Sequence, residues 1–248
     1  MQHYSRPIFA VSAILMGLAV SDTVSDSLTQ LEESLVPVVL ASHDSRVDDM
    51  EARAQRPVPT VPLSEAVNTY FGTVAGGGAP SYNEIALEKN VRYFQRSLIE
   101  LGLSPVLANL FFANGNDGQA TVRYLDDIDE QQFIAPEIEE LDGAATYGNT
   151  KGWFQAVANA KKPCPSFFYF TGHGAYNPEN KDNNWMILWE EAFVSVREMA
   201  SWLDPLPADQ PFVTMMAQCY SGAFANLIYE NGDPEQPVAL QTRCGFFA

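Results

Sequence analysis

Two residues in this chain have the type and the surroundings for nucleophilic chemistry. His173 follows the apolar run 166–171 (SFFYFT) in the sequence Thr171-Gly172-His173-Gly174, and Cys219 follows a second apolar run, 212–217 (FVTMMA), in Gln218-Cys219-Tyr220-Ser221-Gly222. A neutral imidazole beside a thiol can take its proton, and the thiolate is the working nucleophile. Gly174 and Gly222 let backbone approach a substrate closely and leave amide protons free for an oxyanion. Each residue alone has a plainer reading, since a cysteine after a core strand is commonly a small buried hydrophobe. The pair carries more weight, because each member ends an apolar strand and is flanked by glycine. The chain has 3 histidines, and His3 and His43 fall in the N-terminal region, so His173 stands alone in the domain. With no second histidine and no cysteine at metal-ligand spacing, a zinc site is not expected there.

For His173 and Cys219 to meet, the elements before them must deliver both to one edge. The segment 67–75 (VNTYFGTVA) is β-branched and aromatic and breaks at Gly76-Gly77-Gly78, as a strand running into a loop does. Between 83 and 101, apolar residues at Ile85, Leu87, Val91, Phe94, Leu98 and Leu101 follow a helical period that stops at Gly102. The segment 106–113 (VLANLFFA) reads as a second strand. The stretch 118–142 is loop-rich and acidic, with Arg123 its one base. A helix over 151–162 ended by Pro163, a strand over 166–171, a helix over 194–203 and a strand over 212–217 follow. A further helix opens at 222–229, and its N-terminus would favour a thiolate at Cys219. The segment 244–248 (CGFFA) begins a fifth strand. Strands apolar on both faces alternating with helices predict an α/β fold, a mostly parallel sheet with helices on both faces. In such a sheet functional groups gather beyond the carboxyl ends of the strands, and parallel strands put the exits of 166–171 and 212–217 on the same edge.

The 248 residues carry 14 Lys+Arg against 31 Asp+Glu, a net charge of −17, and are 46% hydrophobic. That composition can bury a full core. Its acidity argues against nucleic acid as the main partner, since phosphate binding needs a basic face. No run approaches the length of a spanning helix. The N-terminus has Arg6 before an apolar run at 8–20 (IFAVSAILMGLAV), with small residues Ala19 and Ser21 at its exit, which is the layout of a secretory signal. The expected organisation is a signal peptide at 1–21, a linker at 22–65 with one short helix around 27–40, and the domain at 66–248. The linker ends in a stretch punctuated by Pro57, Pro59 and Pro62. Export to the outside or the periplasm follows from the signal.

The segments FFYFTGHGA and FVTMMAQCYSGAF resemble the caspase-like cysteine peptidases (clan CD), a group that includes caspases, metacaspases, legumains and the transamidase that attaches glycosylphosphatidylinositol anchors. Tyr220-Ser221-Gly222 is closer to the metacaspase and legumain side, because Gln218 abuts Cys219 directly whereas the caspase signature is Gln-Ala-Cys. The resemblance covers 66–248. It implies a cysteine endopeptidase acting on protein or peptide substrates, with His173 as general base and acid and Cys219 as nucleophile. The backbone amides of Gly174 and Cys219 would form the oxyanion hole, with no metal or organic cofactor. It places substrate-binding groups in the loop after the first strand, where Asn83 is a candidate. In the family the strand after the cysteine continues into loops that shape the pocket for the residue before the cut. This chain stops at Phe247-Ala248, so the domain is expected to be incomplete at that end. A transamidase using the same dyad, or a silent interaction module, remains open beside the peptidase.

Other signals are weaker. Gly76-Gly77-Gly78 invites a dinucleotide-binding reading, but the third glycine would fall at Ser81, and no phosphate-loop lysine follows. Asp126, Asp127, Asp129 and Glu130 could bind calcium, yet the nearby glycine is misplaced for a twelve-residue calcium loop, and a solvated acidic loop is the default. Cys164 and Cys244 sit at the starts of strands, with the 212–217 strand expected between them, so two free, buried thiols are expected rather than a disulfide. Trp153, Trp185, Trp189 and Trp202 read as core and helix-packing residues.

Overall fold

The computed structural model of the chain describes residues 68–103 and 108–248, all within the unit Pro62–Ala248. The signal-like run, the linker and the first positions expected of the domain lie outside the described residues. In chain order the described elements are β1 (Tyr70–Gly76), α1 (Ile85–Glu100), β2 (Ala108–Phe112), β3 (Val122–Leu125), β4 (Gln131–Ile134), α2 (Tyr147–Ala158), β5 (Ser166–Ala175), β6 (Trp185–Leu188), β7 (Ala192–Ser195), α3 (Val196–Leu203), β8 (Phe212–Ala217) and β9 (Arg243–Phe247), with short 3-10 segments between some of them.

The central sheet is mixed and mostly parallel, so the fold is α/β. β2, β1, β5, β8 and β9 lie side by side in that order, all parallel. β5 outruns its parallel neighbour β8, and its last residues, His173, Gly174 and Ala175, pair antiparallel with β6, which in turn pairs with β7. Strand alternation sorts the side chains between two cores. Tyr169 faces α1, where the Phe94 ring lies 5.0 Å from it and 5.9 Å from Phe167. On the opposite face Phe154 of α2 is enclosed by Trp153, Phe168, Trp202 and Phe212, with ring centroids 5.0 to 5.9 Å apart. A Cβ added to Gly72 would collide with the Trp153 indole, so the glycine in β1 is what lets α2 close on the sheet. Truncating Phe154 to alanine should cost about 3–5 kcal/mol, because a fully enclosed ring leaves a cavity behind.

The structure departs from the sequence expectations in several elements. The acidic stretch 118–142 contains the β3–β4 hairpin, pairing Val122 with Ile134 and Leu125 with Gln131. Its turn is built by Asp126, whose carboxylate accepts from the Ile128 and Glu130 amides and from the Gln132 side chain. That carboxylate is thereby committed to the turn. Both strands are partly exposed, so no apolar alternation announced them. α2 starts earlier than expected because Thr146 caps it, accepting from the Asn149 amide at 3.3 Å. Residues 194 and 195 belong to β7, and α3 begins at an N-cap in which Ser195 Oγ accepts from the Glu198 amide. The β6–β7 hairpin was not expected. The segment Ser221–Ile228 is 3-10, not an α-helix. Cys164 is buried, but Cys244 is exposed on the edge strand β9, and β8 does separate their strands. Trp153 and Trp202 are core residues, whereas Trp185 and Trp189 are half-buried.

Candidate active site at the strand exits

Register alone aligns the two sequence motifs. Thr171 of β5 lies opposite Ala217 of β8, and two residues further on come His173 and Cys219. Phe170 and Met216, paired in the same ladder, both enter the core beneath α2 and α3. By alternation Thr171 and His173 belong to the α1 face, where Asn90 of α1 donates to Thr171 Oγ1 at 3.0 Å. Cys219 lies in the turn two positions beyond Ala217, just past the end of β8. The two loops also touch. A Cβ on Gly174 would collide with the Cys219 carbonyl oxygen and come within 2.7 Å of Gln218 Cγ, so a side chain at 174 would push the cysteine loop away.

His173 is held by groups no motif announced. Its Nε2 lies 2.9 Å from the Tyr82 carbonyl oxygen and 2.9 Å from Glu84 Oε2. Both partners only accept, so Nε2 carries a hydrogen, and in the neutral ring the lone pair is on Nδ1. The Tyr82 ring stands edge-on to the imidazole at 5.3 Å. Glu84 Oε1 accepts from Arg123 Nη2 at 2.6 Å. The hydrogen bond to Glu84 raises the His173 pKa above its ordinary value against the opposing effect of burial. Burial alone would raise Glu84, but the bond from His173, a backbone amide and the charges of His173 and Arg123 hold it below the usual carboxylate range.

The loop that presents Tyr82 and Glu84 is tightly folded. Gly77 has no room for a side chain, since a Cβ there would collide with the Tyr82 carbonyl group. Asn83 was expected to contact substrate. The structure instead places it at 0% exposure, with Oδ1 accepting from the Gly77 amide at 2.9 Å and Nδ2 donating to the Thr121 carbonyl at 3.2 Å. Its amide fastens the loop from a fully buried position. The Tyr82 hydroxyl donates to Glu191 Oε1 in the β6–β7 turn, which pins the loop from its other side.

The cysteine side is organised differently. Cys219 is exposed, and among the described residues its amide has no hydrogen-bond acceptor, so it is available to an oxyanion. Tyr220 follows in the left-handed region at φ 61°, unusual for a bulky residue, and its ring lies against Tyr176 at 5.6 Å. The segment that follows, Ser221–Ile228, is 3-10 rather than the α-helix expected after Cys219, with poorer hydrogen-bond geometry. Gly222 has open space where a Cβ would stand, so close approach does not require it. Among the described residues no group of three or more His, Cys, Asp and Glu is placed to hold a metal ion. Tyr82, Glu84 and Arg123 are the site residues that sequence reasoning missed. The one signal for Glu84 was an acid at a strand exit just before a helix.

No protein-family model matches the chain, and no curated protein matches it. Its class therefore rests on fold and site: an α/β domain with a mostly parallel sheet that brings a histidine and a cysteine to one edge.

Proposed function

We propose that the chain is a caspase-like cysteine endopeptidase. The observation that carries this reading is the contact of the Cys219 loop with Gly174, beside a histidine whose Nδ1 has no hydrogen-bond partner among the described residues and whose Nε2 is tied to a carboxylate. His173 Nδ1 takes the Cys219 proton, and the thiolate attacks the scissile carbonyl carbon. The amides of Cys219 and Gly174 receive the oxyanion, and the Glu84 carboxylate balances the imidazolium charge. His173 then protonates the leaving amine. Water, deprotonated by the same nitrogen, releases the acyl group and returns the thiol. Export belongs to the proposal and rests on the apolar run at 8–20.

Incubation of wild type, Cys219→Ala and His173→Ala with a mixed peptide library, with cut sites read by mass spectrometry, tests the reading. Cutting by wild type that disappears in both variants supports it, and the residue before the cuts gives the specificity. Cutting that survives Cys219→Ala refutes the mechanism. Acyl transfer to an added amine in place of hydrolysis would make the enzyme a transamidase with the same dyad. No cutting by wild type refutes the peptidase reading in favour of an interaction module.

A further inference from the structure

Arg123 lies in a hairpin that contributes nothing to the strand-exit motifs, yet it ends at the site. Its guanidinium holds Glu84 Oε1 at 2.6 Å while Glu84 Oε2 holds His173 Nε2 at 2.9 Å, so one carboxylate bridges a fixed cation and the imidazole. Its backbone is fastened as well. The Arg123 amide donates to the Asn83 carbonyl at 2.8 Å, and Asn83 ties back to Thr121 at the start of the hairpin. The hairpin therefore adds to the β1–α1 loop through main chain and side chain together. The groups around His173 come from three places: Tyr82 and Glu84 before α1, Arg123 of β3 through Glu84, and Glu191 of the β6–β7 turn acting through the Tyr82 hydroxyl. The Cys219 carbonyl oxygen lies against the next residue, Gly174.

We propose that Arg123 is a positioning residue for His173, acting through Glu84, so that the β3–β4 hairpin sets the orientation of the general base. The role in turnover rests on the peptidase reading, whereas the orientation of the imidazole does not. Without Arg123, Glu84 is a single-ended carboxylate at a loop surface, free to leave the imidazole for water. Half of the acceptor pair on Nε2 is then lost, and the ring is free to turn from the orientation that the pair imposes.

The test uses the full chain as wild type, Arg123→Ala, Arg123→Lys, Glu84→Gln and the Arg123→Ala/Glu84→Gln double variant. The His173 ring is followed through a pH titration by NMR, its signal assigned by its loss in His173→Ala. The expected result is a midpoint that falls in Arg123→Ala, falls in Glu84→Gln, and falls no further in the double variant, with Arg123→Lys partly restoring the wild-type value. Non-additivity of this kind marks a residue that works through its neighbour. If Arg123 acts only as a nearby positive charge, its removal raises the midpoint, and that result overturns the proposal. So does an unchanged midpoint, or shifts that add in the double variant. On a peptide substrate, kcat should fall about tenfold in Arg123→Ala with KM little changed. An inactive wild type would refute the peptidase reading, while the titration still decides the role of Arg123. Should Arg123→Ala unfold the hairpin, Arg123→Lys and Glu84→Gln carry the same comparison.

Discussion

The two halves of the candidate dyad are built in opposite ways. His173 is fixed from several directions: by the β5 ladder, by the Tyr82 carbonyl, by Glu84 backed with Arg123, and by the edge-on Tyr82 ring. Cys219 sits just past the end of β8, with a tyrosine in left-handed conformation after it and a buried glutamine before it whose side-chain amide has no partner among the described residues. Asn184 Nδ2 donates to the Tyr220 carbonyl at 3.5 Å. His173 is preorganised by a satisfied network, whereas Cys219, the nucleophile of the proposed reading, rides on a segment that stores cost. This division suits acyl transfer, in which the base must hold its tautomer throughout while the nucleophile's backbone accommodates a tetrahedral centre.

The largest expected effect comes from breaking the contact between the halves. Gly174→Ala forces the Cys219 carbonyl to move, and peptidase activity should fall by about 10²-fold or more, read as kcat/KM. Glu84→Gln comes next. It keeps the shape and removes the charge, so kcat should drop by roughly 10²-fold, within the range general-base catalysis spans. Because Glu84 raises the His173 pKa, the limb of the pH–rate profile that tracks the imidazole should move to lower pH in this variant.

The same pair predicts a stability window. His173 is raised in the folded state, so its contribution is complete below its unfolded value and disappears as pH rises through the folded one. Glu84 is lowered, so its contribution is present above its unfolded value and disappears as pH falls through the folded one. Thermal melts of wild type and Glu84→Gln should differ most between these limits and converge outside them. On the cysteine side, Gln218→Leu removes two buried polar atoms that have no partner among the described residues and should stabilise the fold by about 1–2 kcal/mol, seen as a raised Tm. The smallest effect is Tyr220→Gly, which relieves roughly 1 kcal/mol of left-handed strain but gives up the contact with Tyr176. A Tm that falls in Gln218→Leu would mean the glutamine amide is satisfied in solution, and the contrast between the halves would lose its strongest support.

What was legible in the sequence was the part written in long-range hydrophobic pattern. β1, β5 and β8 are apolar on both faces because they are central and parallel, and their exits could be named from sequence with the correct edge. α1 was visible from its period. The β3–β4 hairpin was not, since partly exposed strands carrying Arg123, Gln131 and Gln132 show no clean alternation. The support of His173 was hidden for a related reason. Glu84 and Arg123 are ordinary surface residue types, and only the closure of the Gly77–Asn83 loop brings them to the imidazole. Asn83 illustrates the converse: a polar residue in the expected loop turned out to be the fastener, with its neighbour presented to the site.

The most direct test uses two thiols of one molecule. Cys219 and Cys244 are both exposed, but only Cys219 has an imidazole at its strand exit. Rates of alkylation by iodoacetamide at each cysteine, read by peptide mass spectrometry at pH 6.5, compare them directly. The account predicts that Cys219 reacts about tenfold faster or more, and that this advantage disappears in His173→Ala. Equal rates at the two cysteines in the wild type, or an advantage at Cys219 that persists without His173, would contradict it.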